Sequence, residues 1–160
     1  LGNTLLQDFN TLTGVTGLKS IGYLTDEINN TVYIFLTNHQ VNKYDPGAKN
    51  FIISYNSLQD TYVILAQGAF LNFSQLNPIY GVNILEELLF WTDNRNQPRK
   101  INVINAGVSG YYTTEDQISV ATYNPYESIE LFEISKSCYS RRKCYFWYES
   151  FLYRQWWCDG

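Results

Sequence analysis

Methionine is absent from all 160 residues, and histidine occurs once, at His39. A chain that starts on Leu1 without methionine is expected to be a fragment or a processed piece. Cysteine is missing from the first 137 residues, because Cys138, Cys144 and Cys158 all fall in the last 23. The body is therefore not a disulfide scaffold. No apolar run reaches the roughly 18 residues of a membrane-spanning helix, and no basic segment precedes an apolar one at the N-terminus. Neither a membrane span nor a signal peptide is expected. Glycine-rich phosphate loops are lacking too: "GAF" near Gly68 and "GVSG" at 107–110 have the wrong spacing and read as turns. With one histidine, no G-x-S-x-G and no cysteine in the body, nucleophile–base pairs have almost no candidates. His39, in the polar stretch "TNHQVN", reads as a surface residue.

What is present is apolar and aromatic. Hydrophobic residues make up 45% of the chain and aromatics 17%, with 14 tyrosines and a net charge of −4. That balance fits a folded, soluble chain of one domain rather than a disordered one. The last 25 residues, "KSCYSRRKCYFWYESFLYRQWWCDG", differ from the rest. They hold three of the four tryptophans, with five basic and two acidic side chains, against six basic and thirteen acidic in residues 1–135. Three readings of this tail compete: a genuine basic-aromatic tail, the start of another subdomain, or translation out of frame. Cations interleaved with rings suit single-stranded nucleic acid, but no accepted motif is present, so no nucleic-acid partner is expected. The spacings C-x5-C and C-x13-C lack a zinc knuckle.

Along the body, short runs rich in β-branched and aromatic residues recur: "TVYIFLT" (31–37), "FIISYN" (51–56), "TYVILA" (61–66), "FLNFS" (70–74), "IYGVNIL" (79–85), "LLFWT" (88–92), "KINVI" (100–104) and "QISVATY" (117–123). Clusters of Asn, Asp, Gly, Pro and Ser separate them. The pattern predicts an all-β fold of antiparallel sheets. Residues 1–20 are expected to be an edge strand or loop, 21–134 the β-rich repeat domain, and 135–160 the atypical tail. Two hairpins look alike. "VYIFLTN" aligns with "ELLFWTDN" at an offset of 55, placing Phe35 with Phe90, and "NFIISYN" aligns with "RKINVIN" at 49. Four short strands per unit of about 50 residues fit a β-propeller blade. Two to three such units fit here, as part of a propeller or as a β-sandwich. In the strand at 88–93 both faces are largely apolar, as expected for a strand packed between neighbouring sheets.

The segment "FWTDNRNQPRKINV" reads as a hairpin fastened by Trp91, Thr92, Asp93, Pro98 and Arg99. Asp93 is expected to accept turn amides or to pair with Arg95 or Arg99. Pro98 limits pairing where the return strand starts, and Ile101 and Val103 should share a face. Asp93, Asn94 and Asn96 could surround a calcium ion, but the acidic loop pattern is incomplete, so no metal or cofactor is expected. The acidic pairs Asp26-Glu27, Glu86-Glu87 and Glu115-Asp116 are each adjacent in sequence. Neighbours on a strand face opposite ways, so none forms a hydrolytic dyad by itself. No catalytic residue is predicted. Asn29 and Asn72 lie in N-x-[ST] sequons, which matter only in a secreted eukaryotic protein.

Two resemblances follow from these residues. "LLFWTDNRNQPRKI" resembles a YWTD-type β-propeller repeat and is echoed by "YIFLTN", which lacks the Trp and Asp. "FLNFSQLNPIYGVNILEELLFWTDNRNQPRKINV" followed by "GYYTTEDQISVATYNPYESIEL" resembles virion structural proteins of large tailed bacteriophages, particularly those of marine cyanobacteria, over about Thr31 to Leu131. The resemblance implies a non-enzymatic, tail-associated virion component assembled in the host cytoplasm. Its implied partners are other virion proteins or further copies of itself. The family's text continues acidic and β-rich, whereas this chain departs after about Ile134. A carbohydrate-binding or carbohydrate-active propeller for host recognition is the alternative, with a surface glycan as partner. A cleft gathering exposed aromatics with two convergent carboxylates would favour it.

Overall fold

The computed structural model describes residues 8–121, 145–149 and 153–157, and the chain divides into two units, Leu1–Tyr123 and Asn124–Gly160. The described part is all-β, with mostly antiparallel strands and two short helices. In the second unit, β8 (Tyr145–Glu149) pairs antiparallel with β9 (Tyr153–Trp157), from Tyr145 opposite Trp157 to Glu149 opposite Tyr153. Cys138, Cys144 and Cys158 lie outside the described residues, as does the break near Ile134.

The first unit opens with a single helical turn, α1 (Phe9–Thr13), where an edge strand or loop was expected. Asp8 explains it. Its carboxylate accepts from the Asn10 amide and the Thr11 hydroxyl, the capping chemistry of a helix start, and Gly14 (φ 68°) ends the turn in the left-handed region. Four strands then form a meander in chain order: β1 (Lys19–Asp26), β2 (Thr31–Thr37), β3 (Asn50–Asn56) and β4 (Thr61–Gln67).

Two of its connections are the same turn, repeated after thirty residues. "DEINNT" (26–31) and "NSLQDT" (56–61) each begin with an Asx side chain that accepts amides two or three residues on. Each places a left-handed residue, Asn30 (φ 51°) or Asp60 (φ 52°), before a threonine. Asx residues tolerate that region because their short polar side chains bond locally. The turns lie side by side, since the amide and hydroxyl of Ser57 both donate to the Asn30 carbonyl. Ile28 and Leu58 at their tips are 91% and 76% exposed.

A second sheet holds β5 (Gly81–Leu85), β6 (Leu88–Thr92) and β7 (Arg99–Asn102), in that order. Residues 118–120 lie along its β7 edge, where the Lys100 amide donates to the Ile118 carbonyl and the Val120 amide donates to the Pro98 carbonyl. Only an isolated bridge between Arg99 and Ser119 forms there, so the strand expected over 117–123 shrinks to this contact, residues 122 and 123 being outside the described set. Two further runs depart from strand. "FLNFS" becomes a 3-10 turn at Ala69–Leu71, which Asn72 closes at φ 48°. "KINVI" stops at Asn102, whose side chain accepts from the amides of Ile104 and Asn105 and so caps α2 (Val103–Ala106). Val103 is thus the first helical residue, yet it still packs beside Ile101 against the core.

The core lies between the sheets. Tyr33, Phe35 and Ile52 from the first sheet meet Leu89, Trp91 and Ile101 from the second. Phe73, from the segment joining them, completes a triangle of rings: Phe35–Trp91 at 5.6 Å, Phe35–Phe73 at 6.0 Å and Phe73–Trp91 at 6.3 Å. Tilted and edge-on contacts of this kind suit the quadrupoles of aromatic rings. The other face of the first sheet carries Leu36, Phe51 and Ile53 under Phe9, Val15 and Leu18.

Strand pairing corrects the proposed repeat alignment. Phe35 pairs with Ile52, and Leu89 pairs with Ile101. Ile101 stands 49 residues after Ile52, but Leu89 stands 54 after Phe35, so the equivalent of Phe35 is Leu89 and not Phe90. A shift of one residue exchanges the two faces of a strand. The faces of β6 accordingly differ: Leu89 and Trp91 are buried, Leu88 and Phe90 are half-buried, and Thr92 is exposed. Among the described residues the strands close into neither a propeller nor a barrel.

Candidate functional site

Two polar-lined regions stand out in the first unit, the turn between β6 and β7 and a cleft beside β4. At the turn, Trp91 lies in the core and Thr92 faces solvent, while Asp93 is buried. The Asp93 carboxylate accepts from the amides of Arg95 and Asn96, at 3.1 and 2.8 Å, and from the Asn96 side chain. Asn94 takes the left-handed conformation (φ 58°) that lets the chain reverse within reach of those acceptors. Of the two bonding patterns expected for Asp93, turn amides are the one formed.

The turn is also tied to distant segments. Asn72 and Asn96 exchange hydrogen bonds, with the Asn72 side chain donating to Asn96 Oδ1 at 2.7 Å and the Asn96 side chain donating to the Asn72 carbonyl at 3.1 Å. Arg95 donates to Asn72 Oδ1 and to the Val41 carbonyl. Sequon residue Asn72 is thereby engaged from both ends of its amide. Pro98 precedes β7, and its carbonyl receives the Val120 amide.

Arg99 is 1% exposed, yet it is charged. Its Nη1 donates to the carbonyls of Phe70 and Leu71, and Nη2 pairs with Glu115, which is half exposed. A buried guanidinium needs such partners because taking its charge out of water costs several kcal/mol. Arg99 thus joins β7, the 3-10 turn and the 113–118 loop. Trp91 Nε1 and Arg99 Nε are buried without a hydrogen-bond partner among the described residues.

One member of each acidic pair is bonded within the fold. Asp26 accepts from the amide and side chain of Asn29, Glu87 accepts from Asn102, and Glu115 holds Arg99. Burial next to Asp26 raises the Tyr33 phenol above its ordinary value, desolvation being the larger cause and the Asp26 charge the smaller. His39 is buried, correcting its expected surface position. Its ring Nε2 lies 2.7 Å from the Lys43 carbonyl and its amide donates to the Thr37 hydroxyl, so it braces the β2–β3 loop. The side-chain oxygens of Asp93 and Asn96 accept from protein donors of the turn and of Asn72.

The cleft was not legible in the sequence. It has a volume of about 590 Å³ and lies between the end of β4, the 3-10 turn and the 109–113 loop, with Tyr44, Phe70 and Tyr112 along its walls. Gly68 forms part of it at φ 147°, where a β-carbon would fall 2.8 Å from the Phe70 ring. The "GAF" and "GVSG" turns thus meet across one depression. The signal that could have found it is an aromatic residue close to glycine in both: Phe70 after Gly68, and Tyr112 after Gly110. The lining includes aromatic rings but no carboxylate. Compared with protein-family models, curated proteins and solved structures, the chain matches none.

Proposed function

We propose that this chain is a structural module of a tailed-phage virion, tail-associated and acting through protein–protein contacts, built on two propeller-like blades. The phage assignment rests on the run of sequence from Thr31 to Leu131. The observation that carries the contact role is the pair of like turns presenting Ile28 and Leu58 side by side, both well exposed. Single exposed apolar residues are ordinary, but here the two turns that carry them share one bonding pattern and are hydrogen-bonded to each other. The bonded turn backbones lower the ordering cost of docking. The blade reading is supported by the four-strand meander and by residues 118–120 in the fourth place of the second sheet.

The test is location. Antibody against the chain should label tails of purified particles from a phage encoding it, and mass spectrometry of those particles should contain its peptides. Absence from the particles would remove the proposal. A variant carrying Ile28→Asp and Leu58→Asp should fold normally and be incorporated poorly. The carbohydrate alternative is favoured by one observation, the aromatic cleft, and only in its binding form, because two convergent carboxylates do not line it.

A further inference from the structure

We propose that the cleft between β4 and the 109–113 loop binds a short, uncharged saccharide. The twelve lining residues carry no formally charged side chain, so nothing in the wall favours a phosphate, a sulfate, a carboxylate or an ammonium group. The wall is not purely apolar either. Its lining joins the aromatic residues Tyr44, Phe70 and Tyr112 to Ser109 and Thr113, which carry hydroxyls, and Gln67, which carries an amide. A pyranose has the complementary surface: a face of C–H groups that rests against an aromatic ring, and a rim of hydroxyls that both donate and accept. The ring's negative face attracts the C–H hydrogens, and hydroxyl and amide side chains complete the rim. The volume, about 590 Å³, lies within the range of small-ligand sites.

Part of the wall is held by the fold's own hydrogen bonds. Gly68 is held from both sides, its amide donating to the Asn50 carbonyl and its carbonyl accepting from the Asn50 side chain. Its φ of 147° and the closeness of Phe70 leave room for glycine alone, which lets the ring lie over bare backbone. The Tyr112 hydroxyl accepts from the Asn102 amide at 2.8 Å, and Gln117 accepts from the amides of Thr113 and Thr114. Tyr44, 54% exposed, is the ring available for stacking. A prearranged wall lowers the ordering cost that weakens sugar binding.

The experiment uses the full chain and a panel of neutral trisaccharides of glucose, galactose, mannose and N-acetylglucosamine, with sialylated and sulfated glycans beside them. Binding is read on an array and quantified by titration calorimetry. At least one neutral trisaccharide should bind, with about tenfold loss or more in Tyr44→Ala and in Ser109→Trp, which fills the cleft, while both variants keep the parent melting temperature. The proposal is overturned if no neutral sugar binds, if charged glycans bind in preference, or if both variants bind undiminished. A peptide library that yields cleft-dependent binders where sugars fail would assign the cleft to a protein partner, and would equally overturn it. Incorporation into particles is a separate measurement, so each proposal can fail alone.

Discussion

Gly22 and Ile79 touch so closely that a β-carbon on residue 22 would lie 2.6 Å from the Ile79 carbonyl oxygen. The Ile79 amide donates to the Ile21 carbonyl at 2.7 Å, beside an irregularity in the pairing of β1 with β2 between Ser20 and Gly22. The segment leading into the second sheet is thus bonded to the edge strand of the first. Gly22→Ala should destabilise the unit by about 1–3 kcal/mol through overpacking against backbone, seen as a lower urea midpoint with the slope retained. An unchanged midpoint would mean that the two sheets are not held at this contact.

Arg99 and Glu115 share one ion pair but should not be equal in effect. Arg99→Ala takes the donor from the buried Leu71 carbonyl and the half-buried Phe70 carbonyl and removes buried packing, costing about 3–5 kcal/mol. Glu115→Gln keeps a side-chain acceptor at a half-exposed site and should cost at most about 1 kcal/mol. Chemical denaturation of both variants tests the order, and the reverse order would show that the pair, rather than the carbonyls, holds Arg99.

Removal of the Asp93 side chain should loosen the β6–β7 turn. Asp93→Ala abolishes acceptors for the amides of Arg95 and Asn96 and is expected to cost about 1–3 kcal/mol, whereas Asp93→Asn should recover part of the loss. Amide hydrogen exchange at residues 95 and 96 reads the effect directly. Equal protection in parent and Ala variant would contradict it.

Ile28→Lys and Leu58→Lys should each change stability by no more than about 0.5 kcal/mol, because both side chains project into solvent. A larger loss in either would place that residue in a contact the fold itself requires.

Alkaline stability should depend on Tyr33. Its folded phenol titrates above the ordinary value near 10, so its contribution is fully present below that value. As pH rises further, the unfolded phenol ionises first, the unfolded state then binds fewer protons, and stability falls until the folded pKa is passed. Urea midpoints measured between about pH 9 and 11 should decline, and less steeply in Tyr33→Phe. Identical slopes would assign the decline to Tyr55 and Tyr62, whose phenols are also raised, mainly by desolvation with Asp60 nearby.

Most strand positions were readable because β-branched and aromatic runs dominate them, as in "TVYIFLT" and "LLFWT", but β1 was not, since "KSIGYLTD" holds a single β-branched apolar residue, Ile21. Face assignment was harder. Phe35 and Phe90 look equivalent by identity, yet pairing with Ile52 and Ile101 makes Leu89 the counterpart. "FLNFS" has strand composition, but Leu71 and Phe73 are buried as a plug between sheets, a tertiary demand that local propensity does not express. The thirty-residue repeat of turns is faint in the sequence because "DEINNT" and "NSLQDT" share residue classes and geometry more than letters. The cleft was hidden for a related reason: Tyr44, Phe70 and Tyr112 come from three separate connections.

Phe9, Val15 and Leu18 lie across the far face of the first sheet, over Leu36, Phe51 and Ile53. Any further sheet stacking on that side must first displace this N-terminal segment and offer at least as much apolar cover in exchange. Truncation before residue 19 would uncover Leu36, Phe51 and Ile53 and leave an apolar sheet face bare to solvent, the kind of surface on which chains adhere.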